Sequence, residues 1–281
     1  MDIITDIATM QQRCLVARAA GQRIAFVPTM GFLHEGHATL LREGRRRGDL
    51  LVLSIFVNPT QFGPHEDLDR YPRDIARDEA VARASGVDLI FYPTADTIYP
   101  PGYNTYVNVE GPLTETLEGA CRPGHFRGVA TVVAKLFLIV QPHLALFGCK
   151  DFQQLAMIRQ MSADLNLPVE IIGLPTVREA DGLALSSRNV YLSAAEREQS
   201  LVLSRALAAA RQLVCAGTRD SAAILTQLRT MIEAQPAARI DYLQICHQGT
   251  LQAQEQVDSA SVLLLAVFIG KTRLIDNSML L

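Results

Sequence analysis

His34 and His37 stand three residues apart in His34-Glu35-Gly36-His37, and the residues before them set their meaning. Arg23-Ile24-Ala25-Phe26-Val27 reads as a short buried strand, which Pro28-Thr29-Met30-Gly31 then breaks. A helix follows through Ala38–Glu43, so the spacing predicts two imidazoles on one face of its first turn. The free N–H groups and the dipole at that turn favour an anion. Strand, glycine turn and helix start together suit phosphate binding. Two imidazoles there could stabilise charge growing on a phosphate as its leaving group departs. The plainer alternative is two polar residues capping an exposed helix. Zinc is disfavoured, because zinc proteases space their histidines four apart and no third ligand cluster is visible.

Other segments carry related chemistry. Gly148-Cys149-Lys150-Asp151 lies between a strand and a helix, where Lys150 can meet a phosphate as a point charge. Ser186-Ser187-Arg188 sits in the loop Arg178–Asn189, which reads either as a surface turn or as a flap closing over a triphosphate. Asn58, Gln61 and Gln154 offer amides that give and accept hydrogen bonds, suited to orienting a polar substrate or to capping their own loop. Asp67, Asp69, Asp74 and Asp78 form an acidic stretch that could meet phosphate-bound magnesium or start a solvated helix. Arg122–Gly128 places two arginines and a histidine before an apolar helix, either to contact phosphate or sugar or to cap that helix.

These segments need a scaffold that brings them together. Apolar strand-like runs at Ile24–Val27, Leu50–Val57, Val87–Tyr92, Leu144–Phe147 and Val169–Leu174 alternate with helical stretches at Thr39–Arg46, Ile75–Ala84, Gly128–Val140 and Asp151–Leu165. The pattern predicts a Rossmann-like, doubly wound α/β fold, its parallel sheet covered on both faces. Ligands bind such sheets beyond the carboxyl ends of the strands. Pro28–His37, Asn58–Gly63, Gly148–Gln154 and Thr176–Asn189 all follow strands and should converge on one rim. After about Val177 the pattern changes. Ser193-Ala194-Ala195-Glu196 is a capping box opening a long alanine-rich helix to about Cys215, and Ser221–Ala234 is another helix. Ile240–Cys246, Val262–Ile269 and Thr272–Asp276 read as alternating strands, with Gly270-Lys271 turning a hairpin. The expected division is residues 1–176 and a small C-terminal α+β lid domain, 177–281.

The chain has 281 residues and a net charge of −3, which gives no support to a nucleic-acid partner. Arg45-Arg46-Arg47, the one basic run, falls at a helix end where the dipole favours cations. Five widely spaced cysteines without a Cys-x-x-Cys pair argue against a disulfide framework. The N-terminus does not read as a signal peptide, and the apolar stretch Val129–Val140 is too short to cross a bilayer. A reduced, cytoplasmic location is the expectation.

The motifs Pro28-Thr29-Met30-Gly31, His34-Glu35-Gly36-His37, Phe56–Phe62, Tyr71-Pro72-Arg73, Arg122–Phe126, Lys150–Gln154 and Ser186–Asn189 occur in order. Together they resemble the pantoate–β-alanine ligase family, and more broadly the nucleotidyltransferases and class I aminoacyl-tRNA synthetases. The resemblance implies that pantoate attacks the α-phosphorus of ATP, giving pantoyl adenylate and pyrophosphate, and that β-alanine then displaces AMP. It implies His37 as proton donor, with His34, Lys150 and Arg188 also in catalysis. It implies ATP contacts at Met30, Gly31, His34, His37, Gly148, Cys149, Lys150, Asp151, Val177, Leu185, Ser186, Ser187 and Arg188. Gln61, Gln154 and Asn58 would hold pantoate, with Gln61 also near β-alanine. It further implies magnesium carried by ATP, with no protein ligand assigned, and a homodimer. Cys149 departs from the glutamate of many relatives, either as a neutral replacement or leaving an arginine without a partner. Near Asp78 the match is partial, with Arg77 and Val81 in place of polar groups. The alternatives are another HxGH-type adenylyltransferase acting on a phosphate-bearing acceptor, and a non-catalytic nucleotide-binding protein.

Overall fold

The computed structural model describes residues 1–64 and 66–281. Its elements begin with β1 (Asp2–Ile4), α1 (Ile7–Ala19), β2 (Ile24–Thr29), α2 (Glu35–Arg47), β3 (Leu50–Ile55), α3 (Ile75–Ala84) and β4 (Leu89–Phe91). Three single-turn helices follow, α4 (Ala95–Ile98), α5 (Pro112–Glu115) and α6 (Glu118–Cys121). Then come α7 (His125–Val140), β5 (Leu144–Gly148), α8 (Phe152–Asp164) and β6 (Glu170–Leu174). The remainder is α9 (Ala194–Ser200), α10 (Val202–Cys215), α11 (Ser221–Glu233), β7 (Ala238–His247), β8 (Ser261–Ile269) and β9 (Thr272–Met279).

Strands β1 to β6 form one parallel sheet in the order β1-β4-β3-β2-β5-β6. Along β2 the side chains alternate between two cores. Ile24 and Phe26 join a cluster with α1, α7 and α8, while Ala25 and Val27 join one with α2 and α3. Both faces are therefore dry, which is why the strands read as unbroken apolar runs. The chain winds one way from β2 through β3 to β4 and the other way through β5 to β6. The reversal lies between β2 and β5, where an open α/β sheet leaves a crevice at its carboxyl edge.

All five expected strands of this sheet are present. The sixth, β1, was not expected, because its three residues carry no readable pattern. It pairs in parallel with β4, Asp2 opposite Leu89 and Ile4 opposite Phe91. The α/β class with a smaller antiparallel sheet stands as expected.

In the C-terminal part, β7, β8 and β9 make an antiparallel sheet packed against α10 and α11. Two details differ from expectation. The alanine-rich helix is interrupted at Leu201, giving α9 and α10. Just before it, Ser200 turns its hydroxyl onto the Arg197 carbonyl (2.6 Å), the competition serine offers a helix backbone. And β8 does not alternate. Val262 and Leu264 face a second apolar cluster with Leu117 and Phe152 from the first part, so both faces of β8 are buried. No helix among the described residues is long and apolar enough to cross a membrane. Arg45 pairs with Asp88, and Arg46 and Arg47 with Glu43, so the basic run is already engaged.

Candidate active site

The crevice at the reversal holds a cavity of about 240 Å³. It shares Lys150, Gln154, Ser186 and Arg188 with a larger cleft of about 800 Å³ that reaches β8 and β9. Of the residues singled out from the sequence, Met30, His34, His37, Asn58, Gln61, Gly148, Lys150, Asp151, Gln154, Val177, Leu185, Ser186, Ser187 and Arg188 all line the smaller cavity. Gly31 and Cys149 do not.

The two histidines differ from the expected pair on one helix face. His34 is the N-cap of α2, with extended backbone, and its Nδ1 accepts from Gly36 N (3.2 Å). His37 reaches back, its Nδ1 accepting from His34 N (3.2 Å). The result is a capping box built from two histidines, their ring centroids 4.1 Å apart. Both rings are half-buried rather than displayed on an exposed helix. An Nδ1 that accepts from a backbone N–H carries no proton. In the neutral ring the proton then sits on Nε2, which remains free as a donor. Burial, followed by the charges of Lys150 and Arg77, lowers His34 to about 4. Burial, followed by His34 and Lys150, lowers His37 to about 3. Both imidazoles are therefore neutral donors at pH 7, so the ring implied as a proton donor does not start as an imidazolium.

The turn before them has a different support. Gly31 has φ +82°, and a Cβ there would lie 2.8 Å from Asp78 Oδ2. Asp78 is buried and accepts from Phe32 N (2.8 Å) and Leu33 N (2.6 Å). Gly31 thus shapes the turn and does not face the cavity. Asp78 caps backbone, and Asp74 caps α3 through Arg77 N (3.1 Å).

Lys150 is carried on a single 3-10 turn after β5. Asn277 of β9 donates to the carbonyls of both Cys149 and Lys150 (2.9 Å each), so the antiparallel sheet seats this turn. No ion pair to the Lys150 ammonium is found among the described residues. Cys149 points away, packing near Leu155 and Gly173 beside Arg159, an exposed residue. Among the described residues Arg159 has no ion-pair partner, the second of the two outcomes expected for Cys149, and its exposure leaves the charge to solvent.

The serine loop is tied to the histidine turn. Ser187 Oγ donates to the Phe32 carbonyl (3.3 Å), and Ser186 Oγ caps Arg188 N (3.2 Å). Val177 accepts from Leu185 N (3.0 Å), closing the loop on itself. Arg188 is engaged, making two bonds to Asp67 (2.9 and 2.8 Å). Next to it in sequence, Glu66 holds Arg122 the same way (2.7 and 2.6 Å). Burial pushes both carboxylates up, but the hydrogen bonds and charges of the arginines more than reverse it.

The amides also divide. Asn58 is buried and saturated: its Nδ2 donates to Gln61 Oε1 and Gly128 O, and its Oδ1 accepts from Thr60 and Tyr99. It organises the turn rather than offering a free group. A Cβ on Gly128 would stand 2.3 Å from Thr60 O, so only glycine lets α7 press this close. Gln61 rests between Asn58 and Met30 Sδ (3.1 Å). The side-chain amide of Gln154 has no hydrogen-bond partner among the described residues, and it lines both cavities.

Sequence reasoning missed the apolar wall. Val129, Val132, Val133 and Leu136 of α7, with Phe56 and Phe147, line the cavity. The i, i+3, i+4, i+7 spacing was visible, but it does not separate a face that meets a sheet from one that meets a ligand. The arrangement as a whole is a cationic and N–H-rich rim beside a small pocket of amides and apolar groups. It can hold a polyphosphate next to a compact polar acid with an apolar body.

A family model described as pantoate-beta-alanine ligase matches residues 2–279. The pantothenate synthetase of Syntrophotalea carbinolica is 64% identical over 281 residues, covering 100% of this chain and 99% of that protein. That of Geotalea uraniireducens is 58% identical over 280 residues, with coverage of 100% and 99%. Among solved structures, pantothenate synthetase from Thermus thermophilus matches with a TM-score of 0.94 and 48% identity, covering 100% of this chain and 99% of that one. Pantoate-beta-alanine ligase from Francisella tularensis, complexed with beta-gamma ATP and beta-alanine, matches with a TM-score of 0.81 and 31% identity, covering 99% and 97%. Motifs, fold and relatives agree over the whole chain, which belongs to the pantoate–β-alanine ligase family.

Proposed function

We propose that this protein condenses pantoate with β-alanine in an ATP-dependent ligation that passes through pantoyl adenylate. A pantoate carboxylate oxygen bonds to the α-phosphorus as pyrophosphate leaves. The amine of β-alanine then bonds to the acyl carbon, AMP departs, and the amine loses a proton, giving pantothenate. The observation that carries the reading is the convergence of His34, His37, Lys150, Ser186 and Gln154 on one cavity at the sheet reversal.

The first step asks for charge neutralisation and in-line placement more than covalent work. The Nε2–H donors of His34 and His37 would face the phosphates, with the Lys150 ammonium beside them. Ser186, Ser187 and the loop from Val177 to Leu185 would close over the nucleotide, with Met30, Gly148 and Asp151 on its other side. Arg188 would join when phosphate competes with Asp67. Gln61 and Gln154 would hold the acid, with Asn58 acting through Gln61. The valine face of α7 would take its apolar body and keep the adenylate dry.

Magnesium belongs to this reading as the counter-ion of ATP. Asp67, Asp74 and Asp78 are committed to protein partners, and among the described residues no group of three or more His, Cys, Asp or Glu is placed to cage a cation. The division at residue 176, with 177–281 as a lid over the cleft, is part of the proposal. It is supported by the separate core of α10, α11 and the antiparallel sheet. A homodimer is part of the proposal, and a cytoplasmic location suits five free cysteines. Neutral amides and an apolar wall favour a small hydroxy acid over the phosphate-bearing acceptor of an adenylyltransferase.

The test is to incubate the protein with ATP, magnesium and pantoate, with and without β-alanine. The expected result is pantoate-dependent pyrophosphate exchange, with AMP and pantothenate appearing only when β-alanine is added. ATP turnover that ignores pantoate would overturn the reading.

A further inference from the structure

One buried histidine takes no part in the proposed chemistry. His125, the first residue of α7, is 8% exposed and touches the cavity wall. Its Nε2 lies 3.1 Å from Arg122 Nη1, and its Nδ1 lies 2.9 Å from the Gln61 carbonyl oxygen. A guanidinium only donates and a carbonyl only accepts. The ring is therefore held with its proton on Nδ1, the opposite tautomer to that of His34 and His37. Burial, followed by the Arg122 charge, lowers its pKa to about 4, which keeps the ring neutral.

Arg122 is itself firmly placed. Glu66 takes it with two bonds, and Glu118 lies 3.5 Å from Nη1. Glu118 in turn accepts from Tyr242 (2.9 Å) and pairs with Arg273 (2.8 Å), both on the antiparallel sheet. At the other end, the Gln61 amide stands in the cavity between Asn58 and Met30. Nothing else among the described residues bonds to the Gln61 carbonyl.

We propose that His125 is a positioning residue for the acid-binding pocket: Arg122 sets its tautomer, and its Nδ1–H fixes the backbone of Gln61 so that the amide meets the substrate. This rests on the functional reading above, because Gln61 matters only if the acid binds there.

The test is a double-mutant cycle in pantoate-dependent pyrophosphate exchange. His125→Ala should raise KM for pantoate about tenfold, the worth of one buried hydrogen bond, while KM for ATP stays within about twofold. His125→Asn, whose amide can donate in place of Nδ1–H, should recover pantoate KM to within about threefold of wild type. Combined with Gln61→Ala, His125→Ala should add nothing, since its effect passes through Gln61. If His125→Ala does not fold, His125→Gln, which reaches Arg122 but not the Gln61 carbonyl, serves in the same cycle. Imidazole nitrogen NMR should show His125 protonated on Nδ1. Additive losses, equal rises in both KM values, or an Nε2–H ring would overturn the proposal. No exchange by wild type would instead overturn the functional reading, and this inference with it.

Discussion

The two sides of the cleft supply polar groups in opposite ways. On the rim of the parallel sheet the groups are neutral and held locally: His34 and His37 bond to backbone within three residues of themselves. Across the cleft the groups are charged and paired over long stretches of chain, as Arg188 is with Asp67, Arg273 with Glu118 and Arg178 with Asp276. The local arrangement leaves donors free for a ligand at no further cost. The paired arrangement gives rigidity, but an arginine must release its carboxylate before it meets a phosphate. Lys150 is the exception, a cation seated by backbone contacts and, among the described residues, without an ion-pair partner.

The sharpest way to break this comparison is to delete a local donor. His37→Ala should lower pantoate-dependent pyrophosphate exchange by about 10²- to 10³-fold, the range for losing one donor to developing charge. The lost cap should cost only about 1 kcal/mol in stability, measured by urea unfolding. Near-normal exchange would remove His37 from the chemistry.

Acidification tests the same side through stability. His34 and His37 sit near 4 and 3 in the folded chain against 6.5 when free. The unfolded chain therefore binds more protons as pH falls below 6.5, and folding stability drops through the window down to about 4 for His34 and about 3 for His37. Two such groups can shift the folding equilibrium by up to about a hundredfold per pH unit. Unfolding midpoints between pH 7 and 4.5 should show this slope, and His34→Asn with His37→Asn should reduce it, leaving the share of the buried His125. An unchanged slope would mean that neither ring is held neutral.

A smaller effect is expected on the paired side. Asp67→Asn frees Arg188 and removes a negative charge near the phosphates, so KM for ATP should fall about threefold to tenfold. Stability should fall as well, by about 1–3 kcal/mol, because the pair is only partly exposed. A rise in KM for ATP would show instead that Asp67 orients Arg188 for the nucleotide. The smallest effect belongs to Cys149→Glu. The side chain faces Leu155 and Arg159 rather than the cavity, so kcat/KM for ATP should change by less than about threefold, as for a site outside the contact shell. A tenfold change would return Cys149 to the nucleotide site.

Much of the site was legible because it is built from strand ends. The break after Val27, the turn Asn58–Gly63 and the residues after Phe147 are written as short polar insertions between apolar runs, and such runs have few ways to pack. The acidic stretch was harder to read. Asp67, Asp74 and Asp78 look alike in sequence, yet one grips an arginine, one caps a helix and one caps the turn at Gly31. Asn58 shows the same ambiguity, since an amide near a site can face substrate or brace the wall.

The sequence by itself determined the alternation of strands and helices, the two covered faces of the sheet and the set of segments that meet at its edge. Those depend on hydrophobic period and on turn residues, which act over a few neighbours. Tertiary structure alone decided the tautomer of His125, the commitment of Arg122 and Arg188 to carboxylates, and the use of one α7 face as a cavity wall. Each depends on which distant atom lies within hydrogen-bonding or contact distance. That is a property of the packed chain and of its low-dielectric interior, not of any local pattern.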